Sequence, residues 1–465
     1  MLNTNFMAKK WILFFFLFGL LACSIPRQAW ASLTLEDEKK LGKEFYDKLG
    51  KAHFILQNER ANTFLTLLGE RILTHSDKAP FEFKFSIIRN SAINAFATPG
   101  GYVYVNQGLI NLVENEGQLA GVLAHEIAHV NGRHIAELVD KSQKINISTM
   151  AAVLAGAFLG GGGELTAAVT GFSLAAATSL SLKYSREHEE SADRMGLSYL
   201  VATGYDGKSM LDFLKIMRRY EYYSNTIPSY FLTHPGTDER SHYIDALLQT
   251  TLQQGGTDQI SGDLRRIQTI LLLDGKPADA NIHHFLKALQ EHPDDPDTLY
   301  GLAITEEKLG MVTESLDHFR QAVRLSPNDD DILRDLGIAL FKLGKFDDAL
   351  KNLGRATELQ GNDPNTNLYL GKTFLALGDI PNALRLFKKF EEGRPDDPES
   401  YYNLAMTYGK TGGTGDSHYY FGLYFKKKGK TESALFHFKA ALKEYSQIHP
   451  KTKEIQKEID SLLRK

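Results

Sequence analysis

The sequence predicts an α+β domain, mostly helical with a small antiparallel sheet, followed by an all-α solenoid of helical repeats. Residues 35–203 combine long segments of helical apolar spacing with short β-type segments, and the sequence beyond about Asp258 repeats every 34 residues. A chain of 465 residues also exceeds what one hydrophobic core organises, which predicts two or three domains. We expect a leader over residues 1–31 and domains over 32–258 and 259–465.

The composition is that of an ordinary globular protein, and it excludes one class of partner. Hydrophobic residues make up 43% of the chain and charged residues 24%, so wholesale disorder is not expected. The formal net charge is −4, which creates no strong field toward nucleic acid or anionic lipid. We therefore expect no nucleic-acid partner.

The N-terminus has the pattern of a secretory signal. Lys9 and Lys10 precede an uncharged apolar run from Trp11 to Ala22, which is too short to span a bilayer comfortably. Two cleavage interpretations stay open: ordinary cleavage after Ala31, which we favour, or lipidation of Cys23 as the new N-terminus. Both predict export from a bacterial-type cytoplasm, with a peripheral or lipid-anchored membrane contact at most. Cys23 is the only cysteine, so no intramolecular disulfide forms.

The elements of the first domain follow from its periodicity. Helical spacing covers Leu35 to about Thr74, and Phe81 to Ile88 alternates as a strand does. Ala95 to Val105 contains two strand-like pieces around a Pro-Gly-Gly turn. Longer helices are predicted from about Glu116 to Val139 and from about Ser185 to Thr203.

An apolar segment from Met150 to Leu182 lies between these two helices and is interrupted by Gly160 to Gly163. A membrane span is disfavoured, because the glycine run splits the segment and neither half contains eighteen uninterrupted apolar residues. We interpret the segment as a buried helix pair or a mobile lid.

The second domain is predicted from a repeat whose small, apolar and aromatic positions recur in register. The recurring positions are Pro293, Pro327, Gly361 and Pro395; Leu302, Leu336, Leu370 and Leu404; Gly310, Gly344, Gly378 and Gly412; and Phe319, Leu353, Phe387 and Phe421. A helix-turn-helix unit of this period resembles the tetratricopeptide repeat, which stacks into a solenoid with a concave binding surface. After Gly412 the pattern slips by half a unit, and a final helix to Lys465 is expected to cap the stack.

The predicted helix from Glu116 carries the motif His125-Glu126-Ile127-Ala128-His129. Residues four apart lie on one helix face, so His125 and His129 can direct two imidazoles at one metal ion. Glu126 lies on the neighbouring flank, where its carboxylate can take a proton from a water molecule that zinc has acidified. The motif therefore predicts a catalytic zinc with Glu126 as general base.

A catalytic zinc needs a third protein ligand. His134 stands one residue before the position, held here by Ile135, that would supply a third histidine on an extended motif. Glu189 and Asp193 are four apart on the later helix, so Glu189 can bind the metal while Asp193 orients a ligand histidine. Three neighbours are interpreted as surface residues, although the two glutamates remain rival ligands by proximity: Glu187, His188 and Glu190.

These two motifs, with Asn94 to Gly101 before them, resemble the HExxH…ExxxD zinc metallopeptidases that include the CAAX prenyl endopeptidase and the heat-shock protease HtpX. The resemblance implies a zincin-like metallopeptidase fold and one zinc per chain. It assigns the zinc to His125, His129 and Glu189 and the general base to Glu126.

The same family carries a His-Pro element followed by an arginine, which His234-Pro235 and Arg240 match here. By this resemblance, His234 stabilises the oxyanion or binds zinc in a resting state, and Arg240 supports the site. Together with Met150 to Leu182, His234 suggests an enzyme that inhibits itself at rest.

These features predict a zinc endopeptidase of the periplasm, or an outer-membrane lipoprotein if Cys23 is lipidated. The resemblance implies clients that are unfolded or misassembled proteins, quality control of outer-membrane proteins, and repeats that recruit clients or contact the outer-membrane assembly machinery. Asn94 to Val105 is a candidate strand edge for pairing with substrate, and a purely structural hairpin is an equal alternative. The alternative function is a chaperone or assembly scaffold with a normally closed peptidase site.

Overall fold

A computed structural model describes residues 33–141, 154, 183–224, 227–250, 255–275, 277–445 and 450–464. The predicted leader, with Cys23 and Ala31, and the glycine run Gly160 to Gly163 lie outside the described residues. The chain forms two compact units that divide between Ile267 and Gln268. The domain boundary that we expect after residue 258 stays a prediction. Among the described residues, no helix combines the length and apolar character needed to cross a membrane.

The first unit is mostly helical around a small sheet. Its helices are α1 (Leu35–Lys51), α2 (Glu59–Leu73), α3 (Gln107–Leu112), α4 (Glu116–Asn131), α5 (His134–Lys141), α6 (Arg186–Ala202), α7 (Lys208–Ser224), α8 (Ser229–Thr233) and α9 (Thr237–Thr250). Its strands are β1 (Lys84–Ile88), β2 (Ala95–Thr98) and β3 (Tyr102–Asn106).

The sheet is mixed rather than antiparallel throughout, which corrects part of the fold prediction. The β2–β3 hairpin is antiparallel, and its turn uses Gly100 and Gly101 at φ of 86° and 92°. However, the strand order is β1-β3-β2, and β3 pairs parallel with β1. The second strand of the hairpin, β3, therefore lies between β1 and β2.

Two predicted helices are each divided in two. The segment from Leu35 to Thr74 breaks where Ile55 bridges to Ile88 of the sheet. The predicted helix from Glu116 to Val139 breaks after Asn131, where Arg133 has a φ of 52° that a helix does not accommodate. The chain therefore turns before α5 begins.

The first residue of α4 is fixed by a buried carboxylate. Glu116 accepts hydrogen bonds from the backbone N–H groups of Ser261 and Gly262, each with a donor–acceptor distance of 3.0 Å. The hydroxyls of Ser261 and Tyr205 also donate to it. Although burial alone raises the pKa of Glu116, these hydrogen bonds outweigh it and hold the pKa below the ordinary value. This clamp fixes the helix that carries the HExxH motif.

The second unit is an array of antiparallel helices. Helix α10 (Leu264–Gly275) crosses the division between units, and the array continues with α11 (Ala278–Glu291), α12 (Pro296–Lys308), α13 (Val312–Leu325), α14 (Asp330–Lys342), α15 (Phe346–Leu359), α16 (Pro364–Ala376), α17 (Ile380–Gly393), α18 (Pro398–Lys410), α19 (Thr414–Lys427), α20 (Thr431–Glu444) and α21 (Pro450–Leu463). Every second helix from α12 to α18 is preceded by an N-cap aspartate whose side chain accepts a backbone N–H of the first turn: Asp295, Asp329, Asp363 and Asp397.

The half-unit slip after Gly412 has a structural counterpart. A Cβ added to Gly371 of α16 would lie 2.8 Å from the Phe387 ring of α17, so the glycine permits close packing within a repeat. Gly422 of α19 would meet the Phe438 ring of α20 at 2.5 Å in the same way. Helix α19 therefore acts as the second helix after α18 and as the first helix before α20.

Candidate metal centre and active site

Helix α4 places two histidines side by side in the core. The Asn115 side chain accepts from the backbone N–H of Gln118 and so caps the helix. The Nε2 atoms of His125 and His129 lie 3.0 Å apart. Helix α6 approaches closely because Gly196 has no side chain, since a Cβ there would lie 2.9 Å from the backbone nitrogen of His125.

Helix α6 adds one glutamate to this pair. Glu189 Oε1 lies 3.5 Å from His129 Nε2, and Oε2 lies 3.6 Å from His125 Nε2. The two rival glutamates, Glu187 and Glu190, are exposed and do not belong to the cluster. Among the three glutamates at the start of α6, the geometry therefore favours Glu189 as a ligand.

His234 joins the cluster from the connection between α8 and α9. Its Nδ1 lies 3.0 Å from Glu189 Oε1 and 3.3 Å from His125 Nε2. Its ring stacks on Tyr230, with centroids 4.3 Å apart. One ligand atom from each of His125, His129, Glu189 and His234 can be chosen so that all lie within 4.8 Å of one another.

Arg240 and Asp193 hold this cluster from behind. Both oxygens of Asp193 accept from Arg240, through Nε and Nη2, each at 2.8 Å. Arg240 Nη1 lies 2.7 Å from Glu189 Oε2, and Asp193 Oδ1 lies 2.8 Å from His125 Nδ1. The Tyr243 hydroxyl donates to Asp193 as well. The buried ion pair between Arg240 and Asp193 therefore contacts two members of the cluster, Glu189 through Arg240 and His125 through Asp193.

Glu126 faces the cluster without a firm partner of its own. Its side chain is fully buried, and neither carboxylate oxygen accepts a hydrogen bond in the described part of the chain. His234 lies beside it, with Nε2 3.5 Å from Glu126 Oε1. Imidazole and carboxylate donors with an adjacent unpaired buried carboxylate are the groups that a catalytic zinc site requires. The residues present therefore fit a zinc ion and a water molecule.

The electrostatics of the cluster suit metal ligands. Burial raises the pKa of Glu126 and holds the pKa of His129 well below the ordinary value, so this imidazole stays neutral. Burial alone also raises the pKa of Glu189, but the Arg240 and His234 charges outweigh it and hold that pKa well below the usual range. Asp193 behaves likewise, since Arg240 lowers its pKa against the effect of burial. Glu189 and Asp193 are therefore anions.

The sequence predicts the surroundings of His129 only in part. His134 does not point into the cluster, and its Nδ1 lies 3.0 Å from Nδ1 of His129 on the far side of that ring. Burial lowers the pKa of His134 to about 4. The interpretation of His188 as a solvated residue is wrong, because it is 8% exposed and its ring stacks on His134. Tyr184 also stacks on His129, with centroids 3.8 Å apart, and no sequence motif indicated it.

Comparison with known proteins identifies both parts of the chain. Residues 59–248 match the model of peptidase family M48, and residues 274–330 and 334–398 match a tetratricopeptide-repeat model. The chain carries a peptidase family M48 domain followed by tetratricopeptide repeats. The resemblance predicted from the two motifs is confirmed, and so is the metallopeptidase class of the first domain.

Three relatives illustrate the similarity. The chain is 31% identical over 218 residues to the beta-barrel assembly-enhancing protease of Yersinia pestis, covering 46% of this chain and 45% of the relative. It is 31% identical over 214 residues to the protein of that name from Escherichia coli K12, covering 46% and 44%. It is 26% identical over 225 residues to the mitochondrial metalloendopeptidase OMA1 of Schizosaccharomyces pombe, covering 48% and 64%. The match spans about half the length of the two bacterial relatives.

Proposed function

We propose that the M48 domain is a zinc-dependent endopeptidase that holds one zinc ion through His125, His129 and Glu189. The observation that carries this proposal is the buried cluster in which these three ligand groups converge, with the carboxylate of Glu126 beside them and no firm partner. Two histidines and one glutamate form a ligand set that leaves one zinc position open for water or substrate.

In this proposal, the chain's own residues orient the ligands and move the proton. A zinc ion held by His125, His129 and Glu189 would act as a Lewis acid that polarises the peptide carbonyl and acidifies water. Glu126 accepts the proton of the attacking water, and its burial favours the protonated form that then delivers the proton to the leaving nitrogen. Asp193 keeps His125 oriented, and Arg240 keeps Glu189 ionised.

We assign His234 a place on the substrate side of this centre. Its Nε2 is near Glu126 and its Nδ1 is near Glu189, so it lies between the general base and the ligand set. From there it either donates to the developing oxyanion or occupies the open zinc position at rest. The second role makes the resting enzyme self-inhibited, as the sequence suggested.

The clients we propose are unfolded or misassembled proteins, recruited by the repeats, in outer-membrane protein quality control in the periplasm. This is supported by the names of the bacterial relatives and by the repeat model. The outer-membrane assembly machinery is a candidate partner of the repeats. Strand β2, an outer strand of the sheet in the described residues, is the candidate edge for pairing with an extended client.

A second candidate function is a chaperone or assembly scaffold with a normally closed peptidase site. It is favoured by the enclosure of the cluster, since His125, Glu126, His129, Glu189 and His234 are each at most 1% exposed. One experiment separates the two: zinc content and casein digestion by the full chain and by Glu126→Gln. Zinc-loaded wild type that cleaves casein, with an inactive zinc-loaded variant, supports the peptidase. Equal casein digestion by both proteins would reject it.

A further inference from the structure

His134 contacts a proposed zinc ligand from the side that faces away from the metal. Its Nδ1 lies 3.0 Å from Nδ1 of His129, and its side chain is 5% exposed. The opposite nitrogen of His129, Nε2, faces His125 and Glu189. An imidazole that binds a metal through Nε2 carries its proton on Nδ1, so His129 donates to His134.

We propose that His134 is a positioning residue of the metal centre, which fixes the tautomer and ring orientation of His129 by accepting its Nδ1–H. This inference rests on the proposed metal site. It completes a pattern, because Nδ1 of His125 is held from behind by Asp193 at 2.8 Å. Each histidine of the HExxH motif then has its own outer partner, a carboxylate for His125 and an imidazole for His129.

The backbone between α4 and α5 is shaped to place this ring. Gly132 leaves the space that the ring fills, since a Cβ there would lie 2.4 Å from His134 Nε2. Arg133 then takes a φ of 52°, a backbone conformation that residues other than glycine rarely adopt. Arg133 Nε donates to Oε1 of the buried Glu38 at 2.8 Å, which holds the turn in place. An ordinary continuation of α4 would carry His134 away from His129.

The other face of the ring is also held. His134 stacks on His188, with centroids 4.7 Å apart and planes 14° from parallel. His188 Nε2 lies 3.0 Å from Glu137 Oε2, so His188 is itself fixed. These contacts hold the His134 ring beside His129, and preorganised partners of this kind typically strengthen metal binding.

Two substitutions of similar polarity separate positioning from packing. His134→Asn places its amide oxygen where Nδ1 stands, whereas His134→Gln places it near the position of Nε2 and away from His129. We expect His134→Gln to lower zinc affinity by about 10–100-fold and His134→Asn to stay within about threefold of wild type. Zinc affinity is measured on the full chain by competition with a chromogenic chelator. The visible spectrum of the cobalt-substituted proteins should change for His134→Gln and not for His134→Asn.

His188→Phe is the matched control, because it keeps an aromatic ring stacked on His134 and leaves the contact to His129 intact. Equal losses of zinc affinity in His188→Phe and His134→Gln would overturn the inference, as would equal affinity for the Asn and Gln variants. If His134→Gln does not fold, zinc affinity in His134→Asn decides, and a loss beyond tenfold overturns the inference. A wild-type chain that takes up no zinc refutes the proposed function as well, whereas wild-type uptake with an unaffected His134→Gln refutes this inference alone.

Discussion

Replacing Arg240 by methionine should destabilise the metal-free protein strongly. Arg240 is 2% exposed, and its guanidinium contacts the carboxylates of both Glu189 and Asp193 at 2.7–2.8 Å. Without it, two neighbouring carboxylates remain buried and lose the cation that holds their pKa values down. Methionine fills similar space but offers no charge, so the substitution tests the charge rather than the packing.

The size of this effect follows from the burial of the pair. Removing one partner of a buried ion pair costs about 3–5 kcal/mol in the free energy of unfolding, because the remaining charge stays desolvated. For a domain of roughly 150–250 residues, this corresponds to a melting temperature lower by on the order of 6–20 °C. Saturating zinc should recover part of the loss, since it binds the folded state beside Glu189.

Differential scanning calorimetry of the full chain after chelation measures this prediction. The matched control is Arg194→Met on α6, the helix that carries Glu189 and Asp193, because Arg194 pairs with Glu190 at 2.7 Å but both side chains are half exposed. An exposed pair contributes about 0–1 kcal/mol, so this control should melt close to wild type. Equal melting temperatures for the two variants would show that the buried guanidinium does not stabilise the carboxylates.

The remaining predictions concern the ligands, the base and the helix clamp. Glu189→Ala should lose stoichiometric zinc in metal analysis, while the exposed neighbours Glu187→Ala and Glu190→Ala keep it; zinc retained by all three would refute the assignment of Glu189. Glu126→Gln should keep zinc and lose about 10²–10⁴-fold in casein cleavage, because it removes the general base, and activity near that of wild type would reject this role. Glu116→Gln should lower stability at pH 7 by about 1–3 kcal/mol, because a neutral amide replaces the anion that accepts the charge-assisted hydrogen bonds of Ser261 and Gly262. The folded-state pKa of Glu116 lies below the ordinary 4.5, so its charge stabilises the fold above that pH and this difference should shrink as pH falls below about 4.5; a difference that grew on acidification would contradict the clamp.

The helical part of the fold could be predicted because its signals are local. The Asn115 and Ser185 caps and the hydrophobic spacing lie close to where α4 and α6 begin. The repeat register similarly predicted the helix array, because each unit uses the same positions. The parallel pairing of β1 with β3 could not be predicted in this way, since strand order depends on contacts between segments that are distant in sequence.

The residues of the candidate centre also differ in whether local sequence signals predict them. His125, Glu126 and His129 follow from helical spacing, and Glu189 and Asp193 from a second spacing of four. Rotation along a continuous helix predicts that His134 is no ligand, yet the chain turns at Arg133 and brings the ring behind His129. The prediction that His188 is solvated is wrong because His188 of α6 contacts Glu137 of α5. The residues next to His188 in the sequence do not indicate this contact. Local patterns therefore predict the residues that converge in the cluster and Asp193 beside them, whereas only tertiary contacts place His134 and His188.

The balance of charge explains why this centre suits a divalent cation. The carboxylates of Glu189 and Asp193 contact one permanently charged side chain, Arg240, and the carboxyl group of Glu126, whose pKa burial raises, lies beside them; all three acids are at most 1% exposed. Burying carboxylates costs free energy unless cations compensate them, and one guanidinium compensates about one charge. A divalent ion at the cluster would supply the remaining positive charge where the ligand atoms converge. Because the four side chains of the cluster come from α4, from α6 and from the connection after α8, this arrangement exists only in the folded chain. Metal binding should therefore contribute to the stability of the M48 domain as well as to its chemistry.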